Sequence, residues 1–282
     1  MTDAPADVAT PRLFGPFEVL GALELPHTSA TDLYEGFYAG FYDDFTREER
    51  WDVERYVERA QAVEGTVLEL ACGSGRIALP LARAGVEVHA VDLAPDMLRL
   101  LARRLEAEEP AVAARVRVDR ADMVDLTLYR RFGLAILGAT SVCLLHESER
   151  RVAMFAAVAR HLEPGGTLLF DFVATDPDTL RAQDGELIAV PAVSGSLKRF
   201  TLLGRRWLED EGVQLVNFYS EVVDGEGATR RFLGSTVKAV LDEAMLVAEA
   251  RRGGLEVVSV ETVLEAPEEA GDEIRLVECR VR

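Results

Sequence analysis

The chain has 282 residues, 49 Asp and Glu against 31 Lys and Arg, and a formal net charge of −18; 49% of residues are hydrophobic and 28% charged, an ordinary globular balance that can fill a core. The acid excess argues against nucleic acid, whose affinity comes from Lys and Arg neutralising phosphates, and against anionic membranes, and no uncharged stretch approaches the roughly 20 residues of a bilayer-spanning helix. Cys72, Cys143 and Cys279 are an odd, scattered set without CxxC pairing, which suits a cytoplasmic protein better than a disulfide framework or a zinc site.

Residues 1–30 open acidic and apolar-poor, unlike a secretion signal, carry Pro5, Pro11, Pro16 and Pro26, and read as a flexible arm. Residues 31–64 read as a helical lid; in its second helix Trp51, Val53, Tyr56, Val57, Ala60 and Val63 make one apolar stripe before Gly65. Strands and helices then alternate. Strands are expected at Thr66–Leu70, Val86–Val91, Val116–Asp119, Gly133–Leu137 and Thr167–Val173, with helices opening at Pro95 and spanning Glu147–Leu162. From residue 176 to 239, LKRFTLL, VQLVNFYSEVV and TRRFLGSTVKAV are strand-like runs joined by turns, an antiparallel insert. A helix (Asp242–Arg252) and two strands (Leu255–Val263 and Ile274–Val281) complete a core of residues 65–175 and 240–282. The fold class is α/β: a doubly wound, mostly parallel seven-stranded sheet with an antiparallel β insert after strand five. One domain with an insert is expected, rather than two independent domains.

The chemistry concentrates in VLELACGSGRIALPLA. A buried strand carries an acid, Glu69, then runs through Gly73 and Gly75 into a helix, so a ligand is expected at the carboxyl ends of the strands. Gly73-Ser-Gly75-Arg-Ile-Ala78 also fits the G-x-G-x-x-G/A dinucleotide fingerprint, with Asp92 near the ribose position. Three features oppose an NAD-dependent oxidoreductase. About 65 residues precede the motif, Glu69 would face an approaching pyrophosphate, and no second mononucleotide-binding half follows.

Taken together, the motifs resemble those of class I S-adenosylmethionine-dependent methyltransferases. The resemblance rests on Glu69 with Gly73 and Gly75, on Asp92, on Asp122, on Pro164-Gly165-Gly166 and on a late antiparallel strand, Ile274–Val281. It implies S-adenosyl-L-methionine as cofactor and S-adenosyl-L-homocysteine as product. It further implies that Glu69, Ala71 and Gly73 hold the methionine part, with Gly75, Arg76 and Gly138 at the same site. Asp92 would bind the ribose hydroxyls, Leu93 and Met97 would cover the adenine, and Asp122 with the Met123 N–H would read its edge. Ala94 stands where relatives often carry a helix-capping Ser, and Gly133 where they often carry Asp. LGATSVCLL replaces the Asn/Asp-Pro-Pro-Tyr of enzymes that methylate amide or base nitrogens.

DLYEGFYAGFYDDF (Asp32–Phe45) resembles the lid helix of glycine and amino-sugar N-methyltransferases, implying that Tyr34 lies near the cofactor and Tyr38 near the acceptor. Phe37, Phe41 and Phe45 read as packing residues. In those relatives the insert roofs the acceptor site or supports a homodimer, and here Asn217, Tyr219 and Arg231 are candidates to line it. His146, after strand four, is placed to take a proton from an attacking amine or hydroxyl, or to cap the next helix. The resulting reading is N-methylation of a small-molecule or peptide amine in natural-product tailoring, without a metal. A small-molecule O-methyltransferase is the near alternative; a non-catalytic cofactor-binding subunit and the oxidoreductase are distant ones.

Overall fold

A computed structural model describes residues 11–46, 52–194, 197–265 and 272–281. Trp51 and most of the acidic run from Glu268 lie outside them. The chain forms two compact units, one of the residues up to Tyr42 with Pro177–Lys238, the other of Asp43–Asp176 with Ala239–Arg282.

The chain opens with α1 (Pro16–Ala22), β1 (Thr28–Thr31) and α2 (Gly36–Thr46), so the segment expected to be a loose arm carries a helix and a strand. The larger unit then runs through α3 (Val53–Gln61), β2 (Thr66–Leu70), α4 (Ala78–Arg83), β3 (Glu87–Asp92), α5 (Pro95–Ala107), α6 (Pro110–Ala113) and β4 (Val116–Arg120). It continues with β5 (Phe132–Leu137), α7 (Ser148–His161) and β6 (Leu162–Thr175). After α8 (Pro177–Ala182) come β7 (Leu187–Ser194), β8 (Leu197–Leu208), β9 (Val213–Val223) and β10 (Thr229–Ala239); α9 (Glu243–Arg252), β11 (Leu255–Glu265) and β12 (Asp272–Val281) close the chain.

In the larger unit a seven-stranded sheet has the order β11-β12-β6-β5-β2-β3-β4. Strand β12 is antiparallel to both neighbours, whereas β6, β5, β2, β3 and β4 are mutually parallel. The central strands are buried on both faces, which is why TVLEL and FGLAIL are near-continuous apolar runs. Alternation sends Leu68, Leu70, Leu137 and Phe170 into one core with α7 and α9. Val67, Ile136 and Leu169 go into the other, with Tyr56, Leu79 and Leu101 from α3, α4 and α5. By the same alternation Glu69 and Asp171 are inward positions on this second face. Gly166 is held where a Cβ would lie 2.9 Å from the Glu163 carbonyl and 3.0 Å from that of Phe132, a physical reason for the Pro-Gly-Gly.

The smaller unit is a five-stranded sheet, β1-β10-β9-β8-β7. Strand β1 joins it by parallel pairing with β10, and Phe14 and Phe17 pack with Leu215, Tyr219 and Leu233. This recruitment of the N-terminal segment turns the expected insert into a compact unit with its own core. Strand β7 was not expected from the sequence because Pro191 interrupts its run; the sheet tolerates it because β7 is an edge strand.

Leu246 on α9 is 1% exposed in the first core. Leu246→Ala is expected to cost about 3 kcal/mol through lost burial and a residual cavity, read as a lowered melting midpoint; an unchanged midpoint would refute this packing.

Candidate active site

The turn after β2 bends three times through left-handed backbone, at Ala71 (φ 49°), Gly73 (φ 54°) and Gly75 (φ 87°). For Ala71 this conformation costs about 1 kcal/mol, and at the glycines side chains also close in. A Cβ on Gly75 would lie 2.5 Å from Leu101 Cδ1, and one on Gly73 3.2 Å from Met97 Cε. The turn is stitched to β3: the Cys72 N–H donates to the Val91 carbonyl at 3.0 Å, and the Gly73 N–H to Asp92 Oδ2 at 2.7 Å.

Two acids flank this turn. Glu69 is 2% exposed, and its Oε2 has no hydrogen-bond partner among the described residues. Burial pushes its carboxyl well above the usual range; Arg76 opposes that shift, whereas Asp92 and Asp52 add to it. Asp92, half-buried at the end of β3, accepts from Gly73 N–H and, at 2.8 Å, from Ala94 N–H. Burial raises its pKa, and these backbone donors hold the rise down. The Ala94 N–H thus finds a partner although α5 starts without a side-chain cap. Cys72 is buried beside both acids, and burial first, then the charges of Glu69 and Asp92, push its thiol well up.

A second set of contacts escaped the sequence reading. Asp171 of β6 is fully buried and accepts from the Tyr56 hydroxyl and the Thr140 N–H. Arg76, a candidate cofactor contact, forms a bidentate pair with buried Asp52 at 2.6 Å and 2.6 Å. Ser74, inside the turn, donates to buried Asp43, which Arg104 of α5 also holds at 2.7 Å. Asp171 had a visible signal, a carboxylate at an inward position of an otherwise apolar strand. Asp43 and Asp52 sit in charge-rich helical sequence and had none.

The other expected positions fall as follows. Met97 is buried against Gly73, whereas Leu93, at the end of β3, is 54% exposed. Asp122 caps the short turn holding Met123, accepting from the Val124 N–H at 2.9 Å, and meets Arg150 at 3.2 Å. Gly138 lies where a Cβ would be 2.4 Å from Ile77 Cδ1 and 3.1 Å from Tyr56 Cε2. His146 is half-exposed with its ring 3.9 Å from Glu147; α7 begins at Ser148 without a side-chain cap, so the histidine does not cap it.

Tyr34 and Tyr38 belong to the smaller unit. Tyr34 packs edge-on against Tyr42 at 5.0 Å. Tyr38 is fully buried, its hydroxyl 2.6 Å from Ser220 Oγ and its ring 4.2 Å from Phe218. Burial pushes its phenol up to about 12. Its hydroxyl and its ring are thus both engaged by strand β9 of its own unit. Asn217 binds the backbone of Arg12 and Phe14, and Tyr219 and Arg231 both bind Glu221, so all three serve their own unit.

A doubly wound sheet with an acid near the end of β2, a two-glycine turn and a second acid at the end of β3 is the arrangement that the resemblance to class I methyltransferases implied. Residues 67–166 match the family described as methyltransferase domain. The chain is 31% identical over 197 residues to cypemycin N-terminal methyltransferase of a Streptomyces species, covering 70% of this chain and 74% of that one. It is 28% identical over 140 residues to dTDP-3-amino-3,4,6-trideoxy-alpha-D-glucopyranose N,N-dimethyltransferase of Streptomyces venezuelae, covering 50% of this chain and 55% of the relative. A solved S-adenosylmethionine-dependent methyltransferase from Clostridium acetobutylicum, 20% identical, superposes with a TM-score of 0.69 over 86% of this chain and 97% of that one. The chain belongs to the S-adenosylmethionine-dependent methyltransferase family. Its site fits that cofactor: Glu69 supplies a buried acceptor without a partner for an ammonium, and the glycines leave room for backbone approach.

A bound ammonium favours ionised Glu69, so cofactor binding is expected to release a proton and affinity to rise with pH through the elevated pKa. Calorimetry of S-adenosylhomocysteine binding in buffers of different ionisation heat reads this; equal heats and a flat pH profile would refute it. Glu69→Gln is expected to weaken binding roughly tenfold or more and His146→Ala by less than about twofold. Reversed losses would misplace the site.

Proposed function

We propose that this chain transfers a methyl group from S-adenosylmethionine to an amine of a small-molecule or peptide natural product. The observation that carries the reading is the likeness to cypemycin N-terminal methyltransferase, together with the buried Glu69 near the strand ends. Relatedness to an amino-sugar N,N-dimethyltransferase supports the same acceptor atom.

In this reading Glu69 and the turn from Ala71 to Gly75 hold the methionine end of the cofactor, and Asp92 holds the ribose. Leu93 and Met97 flank the adenine, and Asp122 with Met123 binds its edge. When bound, the cofactor supplies an already activated methyl group. The residues therefore act chiefly by in-line positioning of an uncharged nucleophile. His146, half-exposed after β5, is the group we assign to receive the amine proton. The surplus of carboxylates attracts an ammonium but also raises its pKa, so capture and deprotonation oppose each other.

The smaller unit is read as contributing acceptor recognition or a contact with a second copy. Among the described residues no helix is long and apolar enough to cross a membrane. Composition and scattered cysteines support a cytoplasmic enzyme that works without nucleic acid.

Two measurements test this. S-adenosylhomocysteine should bind wild type and lose at least about tenfold in Asp92→Ala, while NADH should not bind; tight NADH binding alone would overturn the cofactor assignment. With donor present, peptides bearing a free N-terminus and amino sugars should gain the mass of one or two methyl groups. A gain confined to hydroxyl acceptors would favour O-methylation.

A further inference from the structure

Asp171 and Tyr56 are both fully buried and stand outside the residues assigned to the cofactor. The carboxylate takes the Tyr56 hydroxyl on Oδ2 and the Thr140 N–H on Oδ1. Thr140 belongs to the turn that ends β5, where two consecutive non-glycine residues, Ala139 and Thr140, hold φ of 57° and 55°. Such a turn persists only when its surroundings impose it. The Tyr56 ring also closes over Gly138, so one aromatic side chain touches both the turn and the acid that pins it.

The location gives this clamp its meaning. Strand β5 pairs with β2 so that Ile136 faces Glu69 and Leu137 faces Leu70. Ala71, the next residue after Leu70, is itself left-handed, and beyond Leu137 left-handed backbone follows Gly138, at Ala139 and Thr140. Strand order reverses between β2 and β5, and ligands of such sheets bind outside the carboxyl ends at the reversal. Burial pushes the Asp171 carboxyl up to about 7; the Tyr56 hydroxyl opposes this, Asp52 adds to it, and Thr140 N–H and Arg76 oppose it. An apolar residue would fill the same space without that desolvation cost. What it would lack is an acceptor for Thr140.

We propose that Asp171 is a positioning residue for methyl transfer: through Thr140 and Tyr56 it holds the Gly138–Thr140 turn as one wall of the cofactor's methionine end, opposite Glu69. This rests on the assignment of S-adenosylmethionine to the strand ends, not on the identity of the acceptor.

The test compares wild type, Asp171→Ala, Asp171→Asn, Tyr56→Phe and Leu246→Ala. Calorimetry measures S-adenosylhomocysteine affinity, and hydrogen exchange follows the peptide from Ile136 to Leu145. Asp171→Ala and Tyr56→Phe are expected to weaken binding at least about tenfold and to speed exchange of the turn. Asp171→Asn should recover most of the affinity, because a carboxamide oxygen still accepts from Thr140. Leu246→Ala should melt lower yet bind as wild type does. The proposal is overturned if Tyr56→Phe and Asp171→Ala bind like wild type, or if every loss, Leu246→Ala included, simply tracks the melting midpoint. Should Asp171→Ala fail to fold, Tyr56→Phe and Asp171→Asn decide it. A wild type that binds no S-adenosylhomocysteine would strike down the cofactor assignment first, and the inference with it.

Discussion

The pairing of β2 with β5 is the contact on which the carboxyl edge of the larger sheet depends. It sits where strand order reverses, so the crossovers leave β2 and β5 toward opposite faces, the place where ligands of such sheets bind. Just past those strand ends come two bends, at Ala71 and at Ala139–Thr140, in a conformation that L-residues rarely adopt. Each is held by a carboxylate accepting a backbone N–H, Asp92 from Gly73 and Asp171 from Thr140. Similar local chemistry on β3 and β6 thus holds both turns, and Glu69 Oε2 has no hydrogen-bond partner among the described residues.

The electrostatic consequence is a cluster of buried or half-buried carboxyl groups whose charged forms are disfavoured. The charges of Asp92 and Asp52 raise the pKa of Glu69, that of Asp52 raises the pKa of Asp171, and the guanidinium that relieves both, Arg76, is already bidentate to Asp52. A desolvated group of this kind favours the neutral acid until a cation arrives. The family's cofactor carries an ammonium and a sulfonium, which suits such surroundings in a way a pyrophosphate does not. The overall charge of −18 contributes little to this, since most of it lies elsewhere on the chain.

How much of this was legible beforehand depended on whether the physical cause was local. Strand β2 was read with its observed ends because Val67, Leu68 and Leu70, buried on the two faces, make an apolar run broken only by Glu69 and closed by a glycine turn. The Pro95 start of α5 and the Asp242 cap of α9 are likewise local signals. Strands β1 and β7 were not legible: TSAT is short and polar, and Pro191 forbids a ladder hydrogen bond that only a central strand needs. The division into two units was hidden for the same reason, because it rests on β1 reaching β10, far away in sequence. Glu69, Asp92 and the glycines were legible as a motif. Asp171 was passed over inside an apolar strand, and Tyr56 as one member of an apolar stripe, although its polar tip needed a partner once buried.

Cys72 illustrates what the same acidic surroundings do to a neighbour that takes no part in binding. The reactive form of a cysteine is its thiolate, so what raises a thiol's pKa also lowers its reactivity. Here the sulfur is buried, and burial together with the charges of Glu69 and Asp92 keeps it as a thiol. The carboxylates beside the turn thus leave Cys72 a weaker nucleophile than a free thiol, as burial alone already does.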